Sequence, residues 1–410
     1  MKQRALPTAG KALQAALQAR YREALKLHGD GELDAAAALY RAILERMPGS
    51  FHALHMLGVL VGQRGDLAQS QDLIARAVRV DPSVAAAHAN LGNTLRLMDR
   101  FAEAMASYDR ALRLQPDNAR ALKGRGLILW RSRCLDEALA CYEHLLRIEP
   151  DYADGWIMRG AALSELQRNA EAVASYRKAL EFTHVANPDK IRYVLAAMGS
   201  EAMPAASPVE YVRDLFDKYA RRFDDHLVSQ LNYRVPELLA AQLQPLVPAA
   251  KLDVLDLGCG TGLCGPWLKP WAGALTGLDV SEKMLEEAAR KGVYDRLVAG
   301  EINVYLETCR ACFDLIVAAD VFIYVGDLAG VFAGARGALR PGGLFAFSTE
   351  AGADADICLQ GSLRYAHSAA YLQRLAAAAG WRVASMTKHV LRDEDRQGVD
   401  GHLTVLRRPA

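Results

Sequence analysis

The sequence has no excess of charge of either sign: 49 Lys and Arg stand against 48 Asp and Glu, a formal net charge of +1. Nucleic-acid binders neutralise phosphates with surplus cations, so no electrostatic case for such a partner exists. Long apolar runs are missing as well. The longest, 313–325, is interrupted by Asp314 and Asp320 and is too short to span a bilayer. Residues 1–20 lack the continuous apolar stretch of a secretory signal. The seven cysteines are an odd number scattered through the chain, unlike a disulfide framework. Cys309-Arg-Ala-Cys312 has no second pair and no neighbouring His-x-His, so no metal site is expected. These absences describe a soluble, cytoplasmic protein without a membrane or nucleic-acid partner.

What the sequence does have is length, apolar content and a repeat. With 410 residues, about half of them apolar, the chain suits two or three domains with substantial cores. Pro48, Pro82, Pro116 and Pro150 recur every 34 residues, as do Gly58, Gly92, Gly126 and Gly160. Tyr40, Ile74, Tyr108, Tyr142 and Tyr176 keep the same interval, and Ala36, Ser70, Ala104, Ala138 and Ala172 keep a small residue. The pattern is that of a helical hairpin: a small residue where two helices touch, an aromatic filling the gap, a proline closing the second helix. It resembles the tetratricopeptide repeat, with five units over 17–186 and an all-α solenoid over 1–186. The polar, basic and aromatic residues His55, Asn93, Arg96, Lys123, Trp130 and Arg131 are expected on its inner groove. They suit a protein or peptide partner; a homodimer surface is the alternative. Residues 187–210, with a short amphipathic helix and then Met-Pro-Ala-Ala-Ser-Pro, read as a solenoid-capping helix and linker.

The second half carries the chemistry. Val254-Leu-Asp-Leu-Gly-Cys-Gly-Thr-Gly-Leu263 is an apolar strand ending near Asp256 and running into Gly258, Gly260 and Gly262. Glycines at alternate positions let a backbone turn approach a ligand closely. Some twenty residues later Leu275-Thr-Gly-Leu-Asp-Val-Ser281 is a second strand ending in Asp279, placed to accept both hydroxyls of a ribose. A nicotinamide fingerprint needs Gly where Leu263 stands. The D-x-G-x-G-x-G spacing instead resembles motif I of class I S-adenosylmethionine-dependent methyltransferases.

That resemblance implies an α/β Rossmann-like methyltransferase domain over 211–410, with a mixed seven-stranded sheet of order 3-2-1-4-5-7-6. Strands are expected near 252–257, 274–279, 296–299, 313–319, 343–349, 381–387 and 401–408. It implies S-adenosylmethionine as cofactor and S-adenosylhomocysteine as product. The turn Gly258, Cys259, Gly260 and Gly262 would approach the methionine half, oriented by Asp256. Asp279 would take the ribose, Val280 and Met284 the adenine, and Glu301 and Ile302 the adenine edge. An aromatic stripe, Phe216, Tyr219 and Phe223, marks a lid helix over 211–230, with Tyr219 as the cofactor contact.

The acceptor is expected at the loop after the fourth strand, where Asp320 and Tyr324 are the candidate catalytic residues and Asp320 also borders the cofactor. Phe322 and Arg364 are the candidate substrate contacts, and His367 the candidate base. In the leading reading the array recruits a protein, peptide or carrier-bound acceptor. The alternatives are a small-molecule methyltransferase dimerised through its repeats, and a non-catalytic scaffold that binds the cofactor.

Overall fold

The computed structural model describes residues 9–229, 231–352, 355–394 and 397–410. The chain divides into two units, 1–186 and 187–410. The first is built of five hairpins: α1 (Ala9–Gly29) with α2 (Leu33–Arg46), α3 (Phe51–Gln63) with α4 (Leu67–Val80), α5 (Ala85–Leu97) with α6 (Phe101–Leu114), α7 (Ala119–Arg131) with α8 (Leu135–Ile148), and α9 (Ala153–Glu165) with α10 (Asn169–Leu180).

The repeating glycines are explained by what faces them. A Cβ added at Gly92 would lie 2.6 Å from the Tyr108 ring, at Gly126 2.5 Å from Tyr142, and at Gly160 2.9 Å from Tyr176. Each tyrosine is buried against its hairpin partner, so the small and large residues are two halves of one contact. A further period shows only in the backbone. Gly31, Gly65, Asp99, Arg133 and Gln167, again 34 apart, all have φ between 57° and 88° at the turn within each hairpin. Glycine fills that left-handed position in the first two repeats only; Arg133 and Gln167 hold it at a steric cost of about 1 kcal/mol each.

The second unit is a nine-stranded sheet flanked by helices: β1 (Leu252–Leu257), β2 (Ala272–Asp279), β3 (Arg296–Ala299), β4 (Phe313–Ala318), β5 (Leu339–Ala351), β6 (Ile357–Leu359), β7 (Tyr365–His367), β8 (Arg382–Glu394) and β9 (Gln397–Arg407). The order runs β3-β2-β1-β4-β5 in parallel, and β9 joins β5 antiparallel with β8 outside it. This is the expected seven-strand order. The short strands β6 and β7, which pair beyond the end of β5, are additional to it.

Burial on both faces shows in the alternation along each central strand. Val254, Leu315 and Val317 pack into one core, and Leu255, Ile316 and Ala318 into the other. Successive strand residues point to opposite faces, so near-continuous apolar runs are what a covered sheet requires.

The segment expected to cap the solenoid is anchored in the second unit. In α11 (Pro188–Ala197), the Tyr193 hydroxyl donates to the Leu363 carbonyl at 2.9 Å and accepts from Ser207 Oγ at 2.7 Å. The Tyr365 hydroxyl donates to the Pro204 carbonyl at 2.8 Å, and Ala206 bridges to Val325. The expected lid helix is broken into α12 (Val209–Tyr219), a 3-10 turn at Ala220–Arg222, and α13 (Phe223–Ser229). Among the described residues no helix is long and apolar enough to cross a membrane.

Candidate active site

At the carboxyl ends of β2, β1 and β4 lies a cavity of about 620 Å³. This is where ligands of open α/β sheets bind, and the volume suits a small molecule. Asp279 closes β2 at one end. Asp320, just past β4, lies on the other side of β1, roughly 10 Å away at two strand spacings.

The glycine turn is shaped for close approach. Gly258, Gly260 and Gly262 have φ of 65°, 54° and 86°, a region that side chains rarely enter. A Cβ at Gly260 would meet only Phe223 Cε1, at 3.8 Å, and both residues line the cavity. At Gly258 and Gly262 the space is already filled, by Val321 and Tyr294. Gly260 is thus the position where absence of a side chain leaves room for a ligand.

Two carboxylates sit beneath this turn. Asp279 Oδ2 accepts from the Gly260 amide at 2.8 Å and Oδ1 from the Ser281 amide at 2.9 Å. Asp256, 1 % exposed, accepts from the Tyr294 hydroxyl at 2.6 Å. Among the described residues neither carboxylate takes part in an ion pair. Burial raises both pKa values; Asp256, with the Tyr294 bond opposing and Asp279 repelling, reaches about 7.

A carboxyl whose folded pKa lies above its unfolded value withdraws stability as pH rises through the folded value. Asp256→Asn, which keeps an acceptor for Tyr294, is therefore expected to gain on wild type between pH 5 and pH 8, by an increment on the order of a few kcal/mol. Thermal unfolding at the two pH values checks it; a gap independent of pH would contradict the burial argument.

The segment expected as a lid lines the cavity with Phe216, Tyr219 and Phe223, in edge contact with ring centroids 5.4 to 5.9 Å apart. Two aspartates, one on α12 and one on α13, tie the segment to the ends of the strands. Asp217 accepts from Ser281 Oγ at 2.6 Å, next to Asp279. Asp224 accepts from Thr261 Oγ1 in the glycine turn and pairs with Lys291 Nζ at 2.6 Å. Tyr219 bonds His226 Nδ1.

Other expected residues divide. Val280, Cys259, Glu301, Ile302, Tyr324 and Arg364 line the cavity with Asp320. Met284 is fully buried outside that lining. Phe322 is fully buried too, its ring 5.3 Å from Phe347 and 6.0 Å from Phe345, in the core rather than at a substrate surface. His367 also lies outside the lining. It is 0 % exposed, its Nε2 bonds the Gly326 carbonyl at 2.9 Å, and it stacks on Tyr371. Burial lowers its pKa, against the Gly326 bond. That environment suits a structural imidazole, not a base at the cavity.

The sequence reading missed an ion cluster at the β4 end. Arg392, 2 % exposed, donates from Nη1 to Asp320 Oδ2 at 2.8 Å, from Nε to Glu394 Oε1 at 2.7 Å, and from Nη2 to Glu350. Arg364 pairs with Glu394 and approaches Glu350 Oε1 at 3.8 Å. Asp320 itself has φ 56°; its amide donates to Ser348 Oγ at 2.8 Å, and that hydroxyl bonds Oδ1 at 3.1 Å. A charged residue on a strand usually reads as a solvated face, and nothing in Val390-Leu-Arg-Asp-Glu394 marks Arg392 as buried.

On the first unit, Lys123 lines a groove of about 510 Å³ with Asn118, Arg120, Glu149 and Tyr152. Arg120 Nη1 donates to Asn90 Oδ1 at 2.8 Å, and Asn90 contacts the buried His55. Asn93 accepts from Tyr108 at 2.7 Å. Arg131 lies over the Phe101 ring and 3.8 Å from Asp99. Trp130 is 37 % exposed.

Residues 255–347 match the family model described as methyltransferase domain, and 85–118 and 123–189 match tetratricopeptide repeat models. Among curated proteins the chain is similar to malonyl-[acyl-carrier protein] O-methyltransferase of Pseudescherichia vulneris, 32 % identical over 33 % of this chain and 51 % of that one. It is also similar to ubiquinone biosynthesis O-methyltransferase of Thiobacillus denitrificans, 32 % identical over 25 % of this chain and 46 % of that one. The chain spans about half the length of these relatives. Among solved structures, 1,6-didemethyltoxoflavin-N1-methyltransferase of Burkholderia thailandensis is 19 % identical, covering 51 % of this chain and 94 % of that one at a TM-score of 0.41. The chain carries tetratricopeptide repeats, within 85–189, followed by a class I S-adenosylmethionine-dependent methyltransferase domain, matched over 255–347.

Proposed function

We propose that the second unit transfers a methyl group from S-adenosylmethionine to a protein, peptide or carrier-bound acceptor that the repeat array recruits or orients. The observation that carries the cofactor half is the buried Asp279 carboxylate, bonded to the Gly260 amide beside the cavity. The residues present fit the group. Asp256 and Asp279 are buried acids without a cation partner among the described residues, and the cofactor is cationic; Gly260 leaves open the space a Cβ would take.

When bound, the cofactor supplies an electrophilic methyl on sulfur. Asp279 would hold the ribose diol through the lone pairs its two backbone bonds leave free. Val280 and Ile302 would flank the adenine, with Glu301 at its edge. The Gly258–Gly262 backbone and Asp256 would hold the methionine half. The lid aromatics would exclude water, so that alignment of donor and acceptor carries the reaction. Asp320 and Tyr324 would face the acceptor. Removing both latches, Asp217→Ala with Asp224→Ala, is expected to speed release of S-adenosylhomocysteine roughly tenfold or more; stopped-flow fluorescence checks it, and an unchanged rate would mean that the lid is not held by them.

The carrier-bound reading is supported by the relatives named for acyl-carrier protein and by the polar groove that holds Arg120 and Lys123 beside Asp117 and Glu149. The ubiquinone-biosynthesis relative favours the second reading, a small-molecule acceptor with the array used for assembly. Replacing Arg96, Arg120 and Lys123 by Ala separates the two. Under recruitment the KM for a carrier-bound acceptor rises about tenfold while turnover at saturation holds, because only uniform binding is removed. Full activity at low acceptor with an altered oligomeric state by light scattering would favour assembly.

A further inference from the structure

We infer that the acceptor presents a hydroxyl or amine, seated on Asp320 within an apolar pocket, and is not a carboxylate. This rests on the methyltransferase reading and names the substrate class of the same site.

The argument is one of charge count. At the β4 and β5 ends three carboxylates, Asp320, Glu350 and Glu394, face two guanidiniums, Arg364 and Arg392. Arg392 is spent on all three acids, and Arg364 is already shared between Glu394 and Glu350. The cluster carries one formal negative charge. Asp320, Arg364 and Arg392 nevertheless line the cavity, so they are what an acceptor meets there. An incoming carboxylate would add a fourth anion to two occupied cations and lose its hydration on entry, which a buried site tolerates only with a free partner. A malonyl group ends in a carboxylate and is disfavoured on the same ground.

A hydroxyl or amine meets the opposite situation. Asp320 accepts one bond on each oxygen, from Ser348 and Arg392, and a carboxylate offers about four lone-pair sites. The remaining sites can take a proton donor, and the proton that the acceptor must shed has Oδ1 to receive it. The surrounding walls, Leu227, Leu231, Ile323, Val325 and Val331, provide for an apolar body, and Lys218, the lysine of the lining, is exposed to solvent on α12.

The test uses the full chain saturated with S-adenosylhomocysteine and three probes of one chain length: octylamine, octanol and octanoate. Calorimetry is expected to show octylamine or octanol binding at least about tenfold more tightly than octanoate, a difference of 1.4 kcal/mol. Glu394→Gln, half-exposed and so tolerant of change, brings the cluster to two and two and should shrink that ratio severalfold. Octanoate binding as tightly as the others, no probe binding to the loaded protein, or an unchanged ratio in a folded Glu394→Gln overturns the inference and leaves the cofactor reading standing. Failure of S-adenosylhomocysteine itself to bind overturns the methyltransferase reading, and this inference falls with it.

Discussion

Gly260→Val lowers affinity for S-adenosylhomocysteine by about a hundredfold or more, and Asp279→Ala by roughly ten- to a hundredfold. For Asp279 the loss is that of hydrogen bonds to a charged acceptor, each worth about 1.5–3 kcal/mol. For Gly260 three effects add. The residue sits at φ 54°, where a β-branched side chain is a steric outlier. Its Cβ would open into the cavity, with no protein atom nearer than 3.8 Å. Its amide also donates to Asp279 Oδ2, so a displaced turn takes that carboxylate with it. Strain alone can be isolated at Gly342, which has φ 81° and nothing within 4 Å of an added Cβ. Gly342→Val should cost stability but leave affinity at wild type. Equal affinities of Gly260→Val and wild type by calorimetry would mean that the ligand does not approach this turn.

The sequence made the fold legible where one physical demand repeats. The contact of a small residue with Tyr, or with Ile74 in the second hairpin, recurs every 34 residues because every hairpin closes the same gap, and the period is visible without any structure. The same turn also demands a left-handed residue, but Arg133 and Gln167 meet that demand at a cost. Nothing in their chemistry signals the position. In the sheet, apolar strands ending in Asp256 and Asp279 marked the end at which the cavity lies. The acceptor end was read only to the level of a loop. Phe322 and Tyr324 are both expected at the acceptor, yet they belong to a 3-10 turn, Phe322–Tyr324. There, successive side chains diverge by about 120°. Phe322 enters the core, and Tyr324 reaches the cavity and the Phe216 ring, 5.5 Å between centroids. His367 was hidden for a related reason: all three residues of β7 are buried, so alternation no longer tells which side chain is accessible. The ion cluster assembles from three distant stretches, at 320, 350–364 and 392–394, and the β4–β5, β5–β9 and β8–β9 pairings bring them together.

That cluster is also where a single substitution does most to the fold. Arg392→Met should destabilise the second unit by about 3–5 kcal/mol, because removing one partner of a buried ionic group strands the others. The corresponding fall in melting temperature is roughly 6–20 °C for a unit of this size. Arg364→Met should cost less, since Arg364 is partly exposed and Arg392 still holds each acid. The pH dependence has a definite sign. Burial alone would raise the Glu394 carboxyl, but hydrogen bonds from Arg392 and Arg364 bring it below its ordinary value. A depressed carboxylate contributes stability that is present above its unfolded pKa and lost as pH falls through the folded one. Wild type therefore gives up that contribution in acid, whereas Arg392→Met has little of it to lose, and the gap between them narrows as pH falls into the carboxylate range. A double substitution, Arg392→Met with Glu350→Gln, should recover part of the loss at neutral pH by removing one stranded acid. A melting temperature for Arg392→Met equal to that of wild type at pH 7 would show that water compensates these carboxylates, and the charge count at the acceptor end would then lose its force.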